Sequence, residues 1–184
     1  MSDTRFITVF CGSQAGVLPE FVRVAGQFGE ALVENGYGLV FGGGSVGMMG
    51  AVSDAVLAAG GDIIGVIPQR LVDMEHGRKD LADMRVVPDM HTRKATMYHL
   101  SSGFAVLPGG VGTFDEFFET FTWAKLGYHD SPIVVVNIAD YYTPLIELLH
   151  HAQKSGFISE QDLGLVHFVD DVVPAIKVLN DCIR

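Results

Sequence analysis

The sequence predicts an α/β fold: one doubly wound, Rossmann-like domain over residues 1–184, with a mainly parallel sheet flanked by helices. Two observations predict this fold. Short β-rich runs alternate with helix-length segments, and several runs are almost entirely apolar, as at Ile133–Val136. Such runs are typical of parallel strands that are covered on both faces. The length of 184 residues fits a single domain, at about 150 residues per domain.

Seven segments have the composition of strands. In chain order they are Phe6–Phe10, Tyr37–Phe41, Asp62–Val66, Met84–Val87, Phe104–Leu107, Ile133–Asn137 and Leu165–Phe168. Helical segments are expected between them, including Met48–Ala59 and the segment that runs from Arg93 to about Leu100. A further helix is expected to begin at Thr113, after a run of glycines.

The stretch Pro68–Asp83 is long compared with an ordinary connection of about 4–6 residues. It carries many charged side chains, among them Arg70, Glu75 and Arg78. Long loops are often functional, so this stretch is a candidate for a lid or for an arm that contacts a partner. A solvated, charged helix is the alternative.

The overall charge argues against several classes of partner. The chain has 22 acidic and 12 basic residues, for a formal net charge of −10. This excess of negative charge does not favour general binding to nucleic acid or to an anionic membrane. Any site that binds an anion must therefore be local. Two cysteines at opposite ends of the chain do not indicate a disulfide framework. No apolar segment approaches the roughly 20 residues of a membrane span, and the N-terminus does not resemble a signal peptide. A cytoplasmic location is therefore expected.

Glycine and charge concentrate after four of the predicted strands, at Cys11–Ser13, Gly42–Gly50, Pro88–Lys94 and Pro108–Glu116. Ligands of open α/β sheets bind beyond the carboxyl ends of the strands, so these segments are expected to meet in one pocket.

The segment Pro108–Glu116 predicts a phosphate-binding site with a carboxylate beside it. Its glycines let the backbone approach an anion, and the first N–H groups of the following helix lie at the positive end of the helix dipole. Glu116 then lies one turn inside that helix. Thr113 and Glu116 also match a capping box, and capping alone could explain both residues. The preceding glycines, which a cap does not require, favour a chemical role for Glu116.

Two other segments would complete the pocket. Gly42, Gly44 and Gly47 have the G-x-G-x-x-G spacing, but they follow the second predicted strand, so they favour a second backbone wall over a dinucleotide fingerprint. Tight-turn and packing glycines are the alternative. Arg93 supplies a rigid fork for phosphate or ribose hydroxyls, and Lys94 supplies a mobile charge. Exposed surface charge is the alternative for this pair.

Several enzyme classes lack their signature residues. The seven histidines are scattered, without the spacing of metal ligands. The sequence has neither a Gly-x-Ser-x-Gly elbow nor a Gly-Lys-Ser/Thr phosphate loop, which serine hydrolases and P-loop NTPases require. A phosphotransferase would need a pair of metal-holding carboxylates that the pattern does not supply. The remaining chemistry is that of carboxylate, arginine and helix dipole, so no metal or cofactor is expected.

Together these motifs resemble the LONELY GUY family of cytokinin riboside 5'-monophosphate phosphoribohydrolases. The family hallmark Pro-Gly-Gly-x-Gly-Thr-x-x-Glu is unbroken from Pro108 to Glu116, and a second hallmark is Arg93-Lys94. The likeness covers nearly the whole chain. The family's usual Asp-Ala-Phe is replaced by Ser102–Phe104, which leaves the preferred base open.

The resemblance implies hydrolysis of the N-glycosidic bond of adenine-type nucleoside 5'-monophosphates, including AMP, to free base and ribose 5-phosphate. It implies that Arg93 and Glu116 are catalytic and that the protein is at least a homodimer, with a hexamer as the alternative. Substrate contacts are expected at Ser13, Gly43, Gly44, Glu75, Met90, Lys94, Gly109, Gly110, Val111, Gly112, Thr113, Asp115 and Thr122. Thr122 would reach the pocket only if its helix tilts.

A binding protein is the alternative from another class, because related doubly wound folds carry nucleotides or molybdenum cofactor without hydrolysing them. The joint presence of Arg93 and Glu116 favours an enzyme, since a carrier has no chemical need of this pair. Members of the family have also been labelled lysine decarboxylases. The lysines of this chain lack a recognisable pyridoxal-phosphate setting with an acidic partner, which argues against that label.

Overall fold

A computed structural model describes residues 4–74 and 77–183 of the protein. The sheet has seven strands in the order β4-β3-β2-β1-β5-β6-β7. All six strand pairings are parallel, which confirms the predicted fold class. The strands are β1 Arg5–Phe10, β2 Tyr37–Phe41, β3 Ile63–Pro68, β4 Asp83–Val87, β5 Ser101–Val106, β6 Ile133–Val136 and β7 Val166–Val169.

Helices connect the strands and cover both faces of the sheet. They are α1 Pro19–Glu34, α2 Gly47–Ala58, α3 Gln69–Asp73, α4 Met90–Leu100, α5 Val111–Lys125, α6 Thr143–Lys154, α7 Glu160–Leu163 and α8 Val172–Cys182, with a 3₁₀ turn at Ile138–Asp140. No helix among the described residues is long and apolar enough to cross a membrane.

Two apolar layers lie on opposite faces of the sheet. One includes Phe28 of α1, Val52 of α2 and Leu179 of α8. The other includes Met97 of α4 and Phe117 of α5. All four residues of β6 are buried, so its continuous apolar sequence is explained by cover on both faces.

The predicted strands are confirmed with small shifts at their ends. The largest shift is in β5, which begins at Ser101 because Ser101 and Gly103 pair with Phe6 and Ile7 of β1. For the stretch Pro68–Asp83, a long loop and a solvated, charged helix were the two expectations. Its first residue ends β3, and Gln69–Asp73 form the short helix α3, which has no buried residue.

The order of the strands creates a crevice beside β1. The chain builds the sheet outward from β1 to β4, and it then crosses to the other side of β1 to add β5, β6 and β7. The loops after β1 and β5 therefore leave the sheet in opposite directions and open a gap between them, where ligands of doubly wound folds bind. The glycine-rich segment Pro108–Gly110 lies at this gap, directly after β5 and Leu107.

Candidate active site

The loops at the crevice beside β1 enclose a cleft of about 210 Å³. Cys11–Ser13 follow β1, Gly42 follows β2, and Gly110–Thr113 form the N-cap and first turn of α5; all of them line the cleft. Arg93 of α4 and Glu116 of α5 also face it. The structure thus brings residues of all four predicted strand-end segments to one place, with both predicted catalytic residues among them.

Helix α5 begins with three residues whose N–H groups have no helical acceptor. Gly110 is the N-cap and contributes no side-chain cap. The first helical bond runs from the N–H of Phe114 to the carbonyl of Gly110, at 3.1 Å. The N–H groups of Val111, Gly112 and Thr113 are consequently available to an anion. Val111 and Gly112 are exposed at the mouth of the cleft.

The capping-box alternative for Glu116 is wrong. That motif requires Thr113 to be the N-cap, whereas Thr113 is the third residue of α5 and is buried. The helix begins earlier, at Val111, and Gly110 is its extended N-cap. Gly109 is required for close packing, since a Cβ there would overlap the Thr113 side chain. Glu116 therefore lies inside the helix and faces the cleft.

Arg93 and Glu116 form a buried pair. Their side chains are only 11% and 9% exposed, and Arg93 Nη1 lies 3.6 Å from Glu116 Oε1. Arg93 Nε also donates to the carbonyl of Val66 at 3.1 Å, which fixes the guanidinium against β3. The separation of Arg93 and Glu116 exceeds a normal hydrogen-bond length, so both groups retain capacity for a substrate or a water molecule.

Burial dominates the electrostatics of Glu116. Desolvation raises the pKa of its carboxyl to about 7, against the opposing positive charge of Arg93. Both protonation states of Glu116 are therefore accessible near neutral pH, as general acid–base chemistry requires. The same burial, together with the charge of Glu116, raises the pKa of Cys11 well above its usual range. Cys11 is consequently a neutral thiol in the wall of the cleft.

Lys94 joins α4 to α5 at the rim of this site. Its Nζ lies 3.1 Å from Asp115 Oδ2 and 3.0 Å from Glu119 Oε1. Two of the predicted substrate contacts, Lys94 and Asp115, are thus each other's partners. The ion pairs tie together the two helices that carry Arg93 and Glu116.

The other predicted site residues differ in placement. Ser13 lines the cleft, and the Sδ of exposed Met90 lies 3.8 Å from Arg93 Nη1. Gly43 and Gly44 are absent from its lining. Gly43 instead accepts a 2.8 Å hydrogen bond from the Arg78 N–H, and Gly44 forms a β-bridge with Gly77.

Thr122 lies on the exposed side of α5, and its hydroxyl donates to the carbonyl of Phe118 at 2.6 Å. It does not line the cleft of this chain. Glu75 lies outside the described residues. The roles of all these residues stay predictions.

Two residues that sequence reasoning did not assign, Val9 and Met97, also line the cleft. Cys11, Gly12, Gly42 and Met49 line it as well; they belong to the predicted pocket segments but were not named as substrate contacts. Gly42 is the most informative, because a Cβ at this position would collide with the Arg93 guanidinium. Met97 lies four residues after Arg93 on α4, and this helical spacing could have indicated that it shares the same face. Among residues 4–74 and 77–183, no group of three or more His, Cys, Asp or Glu could hold a metal ion.

Comparison with known proteins places the chain in a family. A family model described as "Possible lysine decarboxylase" matches residues 49–179. A cytokinin riboside 5'-monophosphate phosphoribohydrolase of Rhodococcoides fascians is 40% identical over 177 residues, which cover 96% of this chain and 89% of that protein. The chain belongs to the LONELY GUY family. A cytokinin riboside 5'-monophosphate phosphoribohydrolase of Arabidopsis thaliana is 44% identical over 182 residues, which cover 98% of this chain and 84% of that protein.

Solved structures with lower sequence identity share the fold. The molybdenum cofactor binding protein of Rippkaea orientalis superposes with a TM-score of 0.75 and 19% identity, and the match covers all of both chains. A Moco carrier protein of Chlamydomonas reinhardtii gives a TM-score of 0.71 at 23% identity, with 97% of each chain covered. At these identities the likeness concerns the fold alone, so the LONELY GUY assignment rests on the closer sequence relatives.

Proposed function

We propose that this protein hydrolyses the N-glycosidic bond of adenine-type nucleoside 5'-monophosphates, including cytokinin riboside 5'-monophosphates and AMP. The products are the free base and ribose 5-phosphate. The observation that carries the proposal is the buried Arg93–Glu116 pair beside the open N-terminus of α5. The names of the relatives, cytokinin riboside 5'-monophosphate phosphoribohydrolases, support the same substrate class.

The N-terminus of α5 holds the 5'-phosphate. The N–H groups of Val111, Gly112 and Thr113 supply donors, and the helix dipole adds a favourable field. These groups belong to the same cleft as Glu116, which follows Thr113 by one turn. Binding the phosphate there orients the ribose toward the carboxylate and makes attack by a water molecule effectively intramolecular.

Glu116 and Arg93 act on the sugar. The ionised Glu116 stabilises the positive charge that develops on the ribose as the bond to the base breaks, and it accepts a proton from the attacking water. The oxygen of that water bonds to the anomeric carbon, and the bonding electrons leave with the base. The proton that Glu116 accepted balances the one that the base takes up, so the products are the neutral base and ribose 5-phosphate and the carboxylate is regenerated. Arg93 fixes the ribose hydroxyls and assists the departing base with its guanidinium N–H groups.

A hydrolysis assay tests this function. Purified protein is incubated with AMP or with N6-isopentenyladenosine 5'-monophosphate, and the released base is quantified by chromatography. Glu116→Gln is expected to lower kcat by at least about a hundredfold, the size of a general acid–base contribution. Glu147→Gln, the same chemical change on the exposed side of α6, is the matched control. Full activity of Glu116→Gln would contradict the assignment.

A carrier that binds a nucleotide or a molybdenum cofactor is the second candidate, and the shared fold of the Rippkaea orientalis protein is the observation that favours it. A carrier would bind AMP without releasing adenine. Lysine decarboxylation is a weaker candidate, because Lys94 beside the site is occupied by two carboxylates. A Schiff-base lysine must instead be free to lose its proton.

A homodimer is part of the proposal. Val111 and Phe118 of α5 and its C-cap residue Leu126 expose apolar side chains, which fall on one side of the helix together with Thr122. Covering this face with a second copy would remove apolar surface from water and place the partner beside Thr122. Light scattering is expected to give twice the chain mass of 19.9 kDa. Leu126→Glu is expected to shift the protein toward the monomer.

A further inference from the structure

The residues Leu107–Gly110 form a glycine loop, and its first three backbone carbonyls each accept a hydrogen bond from a group outside the loop. Leu107 accepts from the Tyr142 hydroxyl at 2.7 Å, and Pro108 accepts from the Gly12 N–H at 3.0 Å. Gly109 accepts from the Tyr141 hydroxyl. The next carbonyl, that of Gly110, accepts the first bond of α5. The loop is therefore held in one conformation although it contains two adjacent glycines.

The hydrogen bond from Tyr141 orients the peptide group between Gly109 and Gly110. The carbonyl of Gly109 and the N–H of Gly110 belong to one planar trans peptide unit, so they point in opposite directions. Tyr141 lies in a neighbouring cavity of about 270 Å³ and holds the carbonyl on that side. The N–H of Gly110 is therefore directed away from Tyr141. As the N-cap amide, it is one of the four donors at the start of α5 without a helical acceptor.

A strained turn presents Tyr141 and Tyr142 to the loop. Ala139 and Asp140 have φ values of 50° and 60°, and two successive non-glycine residues in this region are uncommon and costly. Asn137 holds the turn, since its Oδ1 accepts from the Tyr142 N–H at 2.6 Å. The Tyr141 ring also packs edge-on against Phe21, with ring centroids 5.8 Å apart. Strain of this kind persists only where the surrounding structure determines it, and here it delivers two adjacent hydroxyls to one loop.

We propose that Tyr141 is a positioning residue of the phosphate site, which it serves by directing the Gly110 N–H toward the bound phosphate. The inference rests on the proposed function, in which the start of α5 holds the 5'-phosphate. Tyr142 holds the preceding part of the loop but cannot play this role. Its acceptor, Leu107, is followed by Pro108, which has no N–H to direct.

This difference makes Tyr142→Phe a matched control for Tyr141→Phe. Each variant removes one hydroxyl and keeps the ring. Titration calorimetry with inorganic phosphate and with ribose 5-phosphate measures binding without any catalytic step, and thermal melting measures stability. Tyr141→Phe is expected to weaken both ligands by about tenfold, the effect of one misdirected bond to a charged group. Its Tm should stay close to that of the wild type, because the Tyr141 hydroxyl is near the surface.

Tyr142→Phe is expected to show the opposite pattern. Its hydroxyl and the Leu107 carbonyl are both buried, so its loss should lower the Tm by about 2–6 °C and leave phosphate affinity within twofold. In the hydrolysis assay, Tyr141→Phe should raise KM for AMP more than it lowers kcat.

Three results would overturn the inference. One is wild-type phosphate affinity in Tyr141→Phe. Another is an equal loss of affinity in both variants, which would indicate a general loosening of the loop. The third is a melting temperature of Tyr141→Phe that falls as far as that of Tyr142→Phe, which would make the bond merely structural. Failure of the proposed function is separate: a wild-type protein that binds ribose 5-phosphate and releases no base from AMP would refute hydrolysis and leave the role of Tyr141 standing.

Discussion

The charge of Arg93 is expected to set the pH at which the enzyme becomes active. Replacing it with methionine keeps much of the side-chain volume and removes a positive charge 3.6 Å from the Glu116 carboxylate. At an effective dielectric constant of about 20, a charge pair at this distance interacts by about 4–5 kcal/mol. That energy corresponds to about three pKa units. Water entering the vacated space would reduce this effect, so an increase of one to two units in the pKa of Glu116 is expected.

The direction in which kcat/KM changes with pH follows from the role of the Glu116 carboxylate. With a pKa of about 7 for Glu116, kcat/KM of the wild type should rise as the pH increases through 7, because the ionised form acts on the ribose and the water. In Arg93→Met the rise should move to about pH 8–9. Loss of the guanidinium contacts with the substrate should also lower the plateau by about a hundredfold.

The assay is adenine release from AMP between pH 5 and pH 10. The substrate phosphate has its own ionisation near pH 6, which is common to all variants and cancels in their ratio. Arg85→Met is the control, since Arg85 is half-exposed on the edge strand β4 and pairs with Asp83. An acid limb at the same pH in the wild type and in Arg93→Met would refute the electrostatic reasoning, even if the activity of the variant were low.

Substitutions of Glu116, Gly42 and Lys94 test the other interactions of the site. The raised pKa of Glu116 means that the folded state holds this proton more tightly than the unfolded state. Its contribution to stability is therefore complete below about pH 4.5 and is lost as the pH rises through 7. Relative to Glu116→Gln, the wild type should lose up to about 3 kcal/mol between pH 4.5 and pH 8 in urea melts; a constant difference would contradict the raised pKa. Gly42→Ala should displace the Arg93 guanidinium and lower kcat/KM at least about tenfold, whereas Gly26→Ala, where a methyl group meets open space, should stabilise the protein by up to about 1 kcal/mol. Lys94→Met should leave Asp115 and Glu119 without their partner and lower kcat/KM by about threefold to tenfold; unchanged activity would show that the ion pairs do not hold α4 and α5 in their productive positions.

Much of the fold could be predicted from local sequence because its signals repeat. A buried parallel strand needs several consecutive apolar residues, and Ile133–Val136 shows this pattern without reference to any other part of the chain. The short helix α3 could be given only as an alternative to a loop, since five residues do not show a helical period. The start of β5 was also missed, because Ser101 and Gly103 have low strand preference and are in the strand only through their pairing with β1.

The site was partly predictable for a similar reason. A glycine loop followed by a helix is a local pattern, so the start of α5, which we propose binds an anion, and the candidate Glu116 could be identified from sequence. The capping-box alternative could not be excluded, because sequence does not show whether the helix begins at Val111 or after Thr113. The tertiary packing of Gly109 against Thr113 and Gly12 accompanies the earlier start. Gly42 was assigned only to a backbone wall, because its contact with Arg93 joins residues from different strand-end segments.

By itself, the sequence determined the alternation of strands and helices, the parallel sheet and the residues proposed to bind an anion, because each depends on neighbours within a few positions of the chain. Only the tertiary structure decided the chemistry of those residues. The pKa of Glu116 depends on burial and on Arg93 from another helix, Lys94 is occupied by carboxylates of α5, and the glycine loop is held by tyrosines that follow it by more than thirty residues. Desolvation and charge interactions act through space, and separation along the chain does not reveal them.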